Sequence, residues 1–255
     1  MEPWRTAIAT SDAESLRLRG YEITDLMKRS FTDTIFLLHQ SRLPSPGEQR
    51  LLDAILVGGA DHGAGAPSCA AARLVASGNR QSLSAAIAAG VLAIGEEHGG
   101  AGTRCMEMIG EGVGLAGREN VPLEEAARRI AEAARSEKRR IPGFGHRVHR
   151  TVDPRTALLF GMARESGVAG KGIQFIEALS DAVARQIRPL PVNIDGALAA
   201  VLFDMGLSPL LGNLIFIISR VAGLTAEVAE EYAREKAMRI HIPVSYDGPG
   251  PREIG

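Results

Sequence analysis

In Ser82-Leu-Ser-Ala-Ala-Ile-Ala-Ala-Gly-Val-Leu-Ala-Ile-Gly-Glu-Glu-His-Gly-Gly100 the side chains are almost all small or aliphatic, and a glycine pair closes the run. Nothing alternates apolar with polar over a strand's length, and alanine and leucine at this density favour helix. The segment reads as a helix over residues 82–97 that stops at Gly99-Gly100. Its small side chains let neighbouring helices approach closely, so it is expected to be buried. A helix this apolar needs other helices to cover it, and the flanking sequence supplies them.

Residues 23–38 place Leu26, Met27, Phe31, Ile35 and Leu38 at helical spacing. Ser45-Pro46-Gly47-Glu48 then offers an N-cap, a proline at the first helical position and a capping-box glutamate. The helix it opens carries Leu51, Leu52, Ile55 and Leu56 inward and ends at Gly58-Gly59. Further helices are expected over 68–76, over 122–138 with Leu123, Ala126, Ala127, Ile130 and Ala134 inward, and over 153–166, 172–187, 195–205 and 208–234, the last interrupted near Gly223. From Ile242 the tail is rich in proline and glycine and reads as irregular. With aromatics at only 4%, the fold class is all-α. No internal repeat or low-complexity linker divides the chain.

The 255 residues carry 29 Lys+Arg against 30 Asp+Glu, a net charge of −1, so no global field attracts a polyanion and nucleic acid is not an expected partner. At 45% hydrophobic and 23% charged residues the chain can build a core, which excludes disorder as its main state. The longest charge-free runs, 81–95 and 205–219, have 15 residues each and are too short for a comfortable membrane span. The opening MEPWRTAIATSDAE has no apolar stretch after its first basic residue, so a cytoplasmic location is expected. Cys69 and Cys105 belong to no CxxC pair and read as small buried hydrophobes.

Three of the six histidines stand in glycine-flanked turns: Asp61-His62-Gly63, Glu97-His98-Gly99-Gly100 and Gly143-Phe144-Gly145-His146. Glycine beside an imidazole lets a ligand approach the main chain, so such a ring projects into a cleft. Spacings of 36 and 48 residues are too long for a local metal motif, and no metal is expected. Lys138, Arg139 and Arg140 precede the third turn and Arg147, Arg150 and Arg155 follow it, a basic cluster suited either to a small polyanion or to a solvated surface. Arg155 follows the rigid Asp153-Pro154 and could aim its fork at a carboxylate. Asp195 stands in an apolar stretch, where it either caps a helix or serves function. Arg220 interrupts another and must find a buried partner or line a cleft.

These residues together resemble the citrate synthase superfamily nearly from end to end. Leu16-Arg-Leu-Arg-Gly-Tyr-Glu-Ile23 is similar to the family's "yRGy" segment and Leu43-Pro-Ser-Pro-Gly-Glu48 to its "LPt..E" helix start. The helix leading into His98-Gly-Gly-Ala101 resembles the HGGA element, Gly143-Phe-Gly-His-Arg-Val148 with Asp153-Pro-Arg155 the GFGHrv…DPR element, and Val192-Asn-Ile-Asp195 the NVD motif. The resemblance implies a shortened citrate synthase-like helical fold, with a large domain (1–100 and 208–255) and a small CoA-side domain (101–207). It also implies carbon–carbon bond chemistry on a CoA thioester, with no cofactor beyond that substrate. His98 would polarise the thioester carbonyl, Asp195 would move the proton at the acetyl carbon, and His146 would hold the keto oxygen or the alcohol it becomes. His62, Arg155 and Arg220 would bind substrate carboxylates, and Lys138, Arg139, Arg140, Arg147 and Arg150 the CoA phosphates.

Two departures narrow the branch. The long helical block that full-length synthases carry before the histidine matching His62 is missing, and Asn193-Ile-Asp-Gly196 is closer to NVDG than to NVDfysG. Both features resemble citryl-CoA lyases and the citryl-CoA-cleaving module of ATP-citrate lyase. Where the family has an arginine that reaches across its dimer, this chain has Ile242, with Arg239 as the nearest substitute. The sequence-level expectation is therefore a citryl-CoA lyase acting on citryl-CoA or a related 3-hydroxyacyl-CoA. The alternatives are a synthase condensing acetyl-CoA with oxaloacetate or another 2-keto acid, or a non-catalytic CoA-ligand-binding subunit. The small-residue helix and the apolar 210–219 segment point to a homodimer.

Overall fold

The computed structural model of the chain describes residues 2–145 and 153–254. It is 60% helical. Near the N-terminus β1 (Ala9–Ser11), β2 (Leu16–Leu18) and β3 (Tyr21–Glu22) form a small antiparallel sheet in that order, with Thr10 opposite Arg17 and Leu18 opposite Tyr21. The helices are α1 (Ile23–Leu26), α2 (Phe31–Gln40), α3 (Pro46–Gly59), α4 (Pro67–Gly78), α5 (Leu83–Leu92), α6 (Ala101–Glu119), α7 (Leu123–Ser136), α8 (Pro154–Glu165), α9 (Lys171–Gln186), α10 (Ile194–Asp204) and α11 (Pro209–Arg234).

The Ser45 capping box forms as expected. Glu48 N–H donates to Ser45 Oγ (3.3 Å) and Ser45 N–H to Glu48 Oε2 (2.7 Å), while Arg42 grips both carboxylate oxygens at 2.9 and 2.5 Å. That guanidinium holds the Glu48 carboxyl at about 2, well below its usual 4.5. The expected helix over 23–38 is instead broken after Leu26. Ser30 and Asp33 make a second capping box that starts α2 afresh, and Met27 and Phe31 stay exposed.

Two further expectations fail for physical reasons. The segment 82–97 is helical only to Leu92 and is not buried: Ala86 and Gly90 face inward, while Leu83 is 57% and Leu92 84% exposed. The last helix runs unbroken through Gly223, which serves close packing rather than a kink. The sequence reading names no helix over 101–119; glycine is a poor helix former, and α6 carries Gly102, Gly110, Gly112, Gly114 and Gly117. Packing overrides propensity there: a Cβ at Gly112 would collide with the Phe175 ring of α9.

The main core joins Ile35 and Phe36 of α2, Leu51, Leu52 and Ile55 of α3, Met106 and Ile109 of α6, Phe175 and Ile176 of α9, and the buried face of α10. A smaller core holds Cys69, Ala72 and Ala76 of α4, Ala86 of α5, and Leu224 and Val228 of α11. Both cysteines are fully buried and unpaired. α11 belongs to both cores, packing on α3, α4, α5, α6 and α10. By length and composition it is apolar enough to cross a membrane, and 39% of its most apolar window is buried within the chain.

The Arg42–Glu48–Ser45 group predicts an acid-sensitive helix start. A depressed carboxylate contributes stability that is present above its ordinary value of 4.5 and lost as pH falls toward about 2. Glu48→Ala should cost about 1–2 kcal/mol in chemical denaturation at neutral pH. Glu48→Gln, which keeps the capping acceptor, should cost less. Both variants should flatten the stability profile between pH 4.5 and 2, and equal losses for the two would assign the whole effect to charge.

Candidate active site

α4 opens at Pro67, so its first N–H groups have no partner within the helix. Ser68, the second helical residue and fully buried, gives its N–H to His98 Nε2 (3.3 Å), and its hydroxyl meets the same nitrogen at 2.9 Å. A nitrogen that accepts a backbone N–H carries no proton, so the neutral His98 ring bears its proton on Nδ1. Burial pushes the His98 pKa below its ordinary 6.5, and the nearby charges of Arg220 and His62 push it the same way. The ring lies edge-on to Phe216, with centroids 6.0 Å apart at 86°.

Arg220 completes this group from α11. Only 3% exposed, it donates from Nε to Gly59 O (3.0 Å) and from Nη1 to Ser68 Oγ (3.3 Å), and its guanidinium lies 5.0 Å over the Phe216 ring. Among the described residues no carboxylate pairs with it within 4.0 Å. Buried cations are normally paired, because desolvation alone costs several kcal/mol. The result is a desolvated positive charge beside a neutral, donor-bearing imidazole, an arrangement that suits an anionic ligand carrying a carbonyl.

The second half of the site is built on backbone pairing. Gly145 N–H donates to Pro191 O (2.8 Å), Asn193 N–H to Gly143 O (3.0 Å) and Asn193 Nδ2 to Gly145 O (2.9 Å), which ties 143–145 against 191–193. Gly143, at φ +82°, allows this: a Cβ there would lie 2.7 Å from both Cys105 Sγ and Gly196 Cα. Asn193, not Asp195, caps α10 through Gly196 N–H (3.1 Å). Asp195 therefore sits in the first turn, half-buried, without the capping duty that its sequence position allowed. Its charge helps push the Cys105 thiol up, after burial, and adds to the raised pKa that Asp153 gives Arg155. Asp153, fully buried, fixes the Arg155 fork through Nε (3.0 Å) and Nη2 (2.8 Å).

The structure thus gathers His62, His98 and Arg220 in one group, and Asp195 and Arg155 in another, joined through α6, which starts just after His98 and carries Cys105 beneath Asp195. Within the single chain Arg239 is not among them. It pairs with Glu231 (2.8 Å from Nε) and Glu235 (3.1 Å), and Glu231 is eleven residues along α11 from Arg220, about 16 Å by helix rise. Ile242 is 68% exposed in the tail. Lys138, Arg139 and Arg140 are exposed after α7, with Arg139 on Glu137 at 2.5 Å. His146, Arg147 and Arg150 lie outside the described residues. Ser68 and Phe216 are site residues that the sequence did not single out. Proline at the first helical position beside a serine was the available signal for Ser68.

Asp61, Cys69 and Glu227 each bring a potential ligand atom within 4.8 Å of the others. Arg73 already pairs with Glu227, and burial and Asp61 push the Cys69 thiol up, so the set is organised as a hydrogen-bonded group rather than a thiolate metal site.

The family model described as Citrate synthase, C-terminal domain, matches residues 42–241. The chain belongs to the citrate synthase family. It is 30% identical over 215 residues to Citrate synthase 2 of Bacillus subtilis, covering 83% of this chain and 54% of that one, and it spans about half the length of the curated relatives it matches. The citryl-CoA lyase of Hydrogenobacter thermophilus is 38% identical, with a TM-score of 0.91 over 100% of this chain and 98% of that one. The ATP citrate lyase of Methanothrix soehngenii shares the fold, with a TM-score of 0.74 at 20% identity over 97% of this chain and 43% of that one.

A hydroxyl donating to Nε2 favours the neutral ring, so Ser68→Ala should move the His98 titration upward, toward 6.5, when followed by the imidazole resonance in NMR. In the wild type the lowered pKa gives stability that is present above 6.5 and lost as pH falls through the folded-state value. The variant should lose part of that dependence. A midpoint at or below the wild-type one would show that the Ser68 hydroxyl contributes nothing to the lowered pKa.

Proposed function

We propose that the chain is a citryl-CoA lyase-type enzyme that cleaves citryl-CoA, or a related 3-hydroxyacyl-CoA, to acetyl-CoA and oxaloacetate or another keto acid. The observation that carries this reading is the buried Arg220 guanidinium, with no carboxylate within 4.0 Å among the described residues, beside a neutral His98. A carboxylate of the substrate would supply the missing counter-charge, and the Nδ1 donor would face the thioester oxygen where negative charge develops. The full-length likeness to a citryl-CoA lyase supports the lyase direction.

In cleavage the substrate hydroxyl, which by the family resemblance His146 would hold, gives up its proton to that imidazole. The carbon–carbon bond then breaks, and its electron pair passes into the thioester, forming an enolate held by His98. Asp195 delivers a proton to the acetyl carbon. One proton leaves the hydroxyl and one arrives at carbon, so the products balance the substrate without water. His62, Arg155 and Arg220 hold the carboxylates. Lys138, Arg139 and Arg140, with Arg147 and Arg150, form the basic approach for CoA phosphates. The chemistry asks for no metal or further cofactor, and the proposed setting is the cytoplasm.

Condensation of acetyl-CoA with a keto acid is the second reading, favoured by the curated relatives named as synthases. Incubation with citryl-CoA, and separately with acetyl-CoA plus a panel of 2-keto acids, separates the two by thiol and keto-acid release. Products from citryl-CoA are expected, and products from the second mixture alone would overturn the lyase direction. Asp195→Asn should keep the fold, because Asn193 holds the cap, and lose at least about 10²-fold in turnover, since an amide cannot carry the proton. Loss of folding without a selective kinetic effect would contradict the role of Asp195.

The exposed apolar residues of α5, with Leu210 at 68% exposure, support a two-fold dimer as the working form. Light scattering at micromolar concentration should give twice the chain mass. A monomer there would sink this part of the proposal.

A further inference from the structure

The His62 imidazole makes no hydrogen bond among the described residues, so its aim depends on the backbone that carries it. That backbone is pinned by its neighbour. Asp61 Oδ1 accepts the Gly63 N–H at 2.6 Å, closing a turn around His62, and Gly63 takes the φ of +83° that the turn requires. Asp61 Oδ2 accepts the Cys69 thiol at 3.4 Å, from the residue next to Ser68 in the first turn of α4. From the other side the loop lies on bare helix backbone. A Cβ at Gly223 would collide with Ala60 O and sit 2.5 Å from Asp61 Oδ2. Gly223 is one turn from Arg220, whose Nε holds Gly59 O, and Ser219 Oγ donates to Leu56 O. The first turn of α4 thus holds one site histidine directly, Ser68 on His98, and the other through Asp61.

A carboxylate beside a site for anions opposes ligand binding, so electrostatics alone argues against Asp61 at this place. We propose that Asp61 is a positioning residue for His62: with Cys69 and Gly223 it fixes the turn that aims the imidazole at the substrate carboxylate or oxygen. This rests on the reading of the site as one for a keto or hydroxy acid bound beside a CoA thioester.

The charge and the geometry can be separated by substitution. Asn keeps the oxygen that accepts the Gly63 N–H and removes the charge, whereas Ala removes both. Calorimetric titration of the full chain with oxaloacetate should show Asp61→Ala binding about ten- to a hundredfold more weakly, and Asp61→Asn at least as tightly as the wild type within about threefold. Acetyl-CoA affinity should move less than about twofold in either variant. In a His62→Ala background the Asp61→Ala loss should disappear, because the effect runs through His62. An undiminished loss in that background, or equal losses for Asn and Ala, would overturn the proposal. If the wild type binds no oxaloacetate, the functional reading fails. The positioning role is then decided by the His62 imidazole resonance, expected as one narrow signal in the wild type and exchange-broadened in Asp61→Ala. An unchanged signal would overturn it.

Discussion

A guanidinium on a residue only 3% exposed, in the middle of an apolar helix, must be satisfied locally, and the way Arg220 is satisfied fixes four neighbouring pieces of the chain. The end of α3 has to bring the Gly59 carbonyl to Nε. The start of α4 has to bring Ser68 to Nη1. Phe216, one turn back on α11, offers its ring face, and the turn between α5 and α6 brings His98 onto the same Ser68. All these partners are neutral, and among the described residues no carboxylate lies within 4.0 Å of the guanidinium. The same arrangement therefore holds the elements together and keeps a buried cation without a direct ion pair among those residues.

The opposite half of the site is held by backbone pairing and by the buried Asp153, whose charge is paired with Arg155. Backbone pairing between 143–145 and 191–193 sets the start of α10, Asn193 takes the cap, and Asp195 is thereby relieved of a structural duty. What joins the halves is α6. From Ala101 to Cys105 the helix rises about 6 Å, so α6 starts beside the His98 turn and reaches the neighbourhood of Asp195 within about one turn. The glycines of α6 and the small faces of its neighbours let α9 and α11 close on it. The residues that make α6 a poor helix by propensity make it a good core element.

What the sequence revealed follows from this division. Local hydrogen-bond patterns were legible: Ser45 to Glu48 could be read as a helix start because the capping box is completed within four residues. The break at 27–30 depends on an equally local box, but the apolar residues on either side of it continued the helical spacing and masked it. α6 was invisible because its stability comes from contacts with Phe175 and α11, far along the chain. α5 was legible as a helix but not as an exposed one, since composition does not say which elements arrive to cover it. His62, His98 and Arg220 were named from residue type and context, whereas Ser68, which links two of them, is a serine among many until the fold brings it to His98.

The short frame adds a last step. The chain passes from α3 to His62 through Ala60 and Asp61 alone, while the curated relatives it matches are about twice as long. Every contact that builds the Arg220 group is made by residues between Leu56 and Arg220, inside the stretch matched by the family model. An insertion at the end of α3 would have to leave the bond of Gly59 to Arg220 and that of Asp61 to Cys69 in place, so it would add cover around the site rather than chemistry within it. Without such cover the loop 61–65 and much of α5 stay exposed in the single chain. Water then reaches the His62 side of the site, where screening weakens every charge–charge interaction. The desolvated environment of Arg220 survives where α11 and α4 close over it, whereas His62 stands at the exposed edge of the same group.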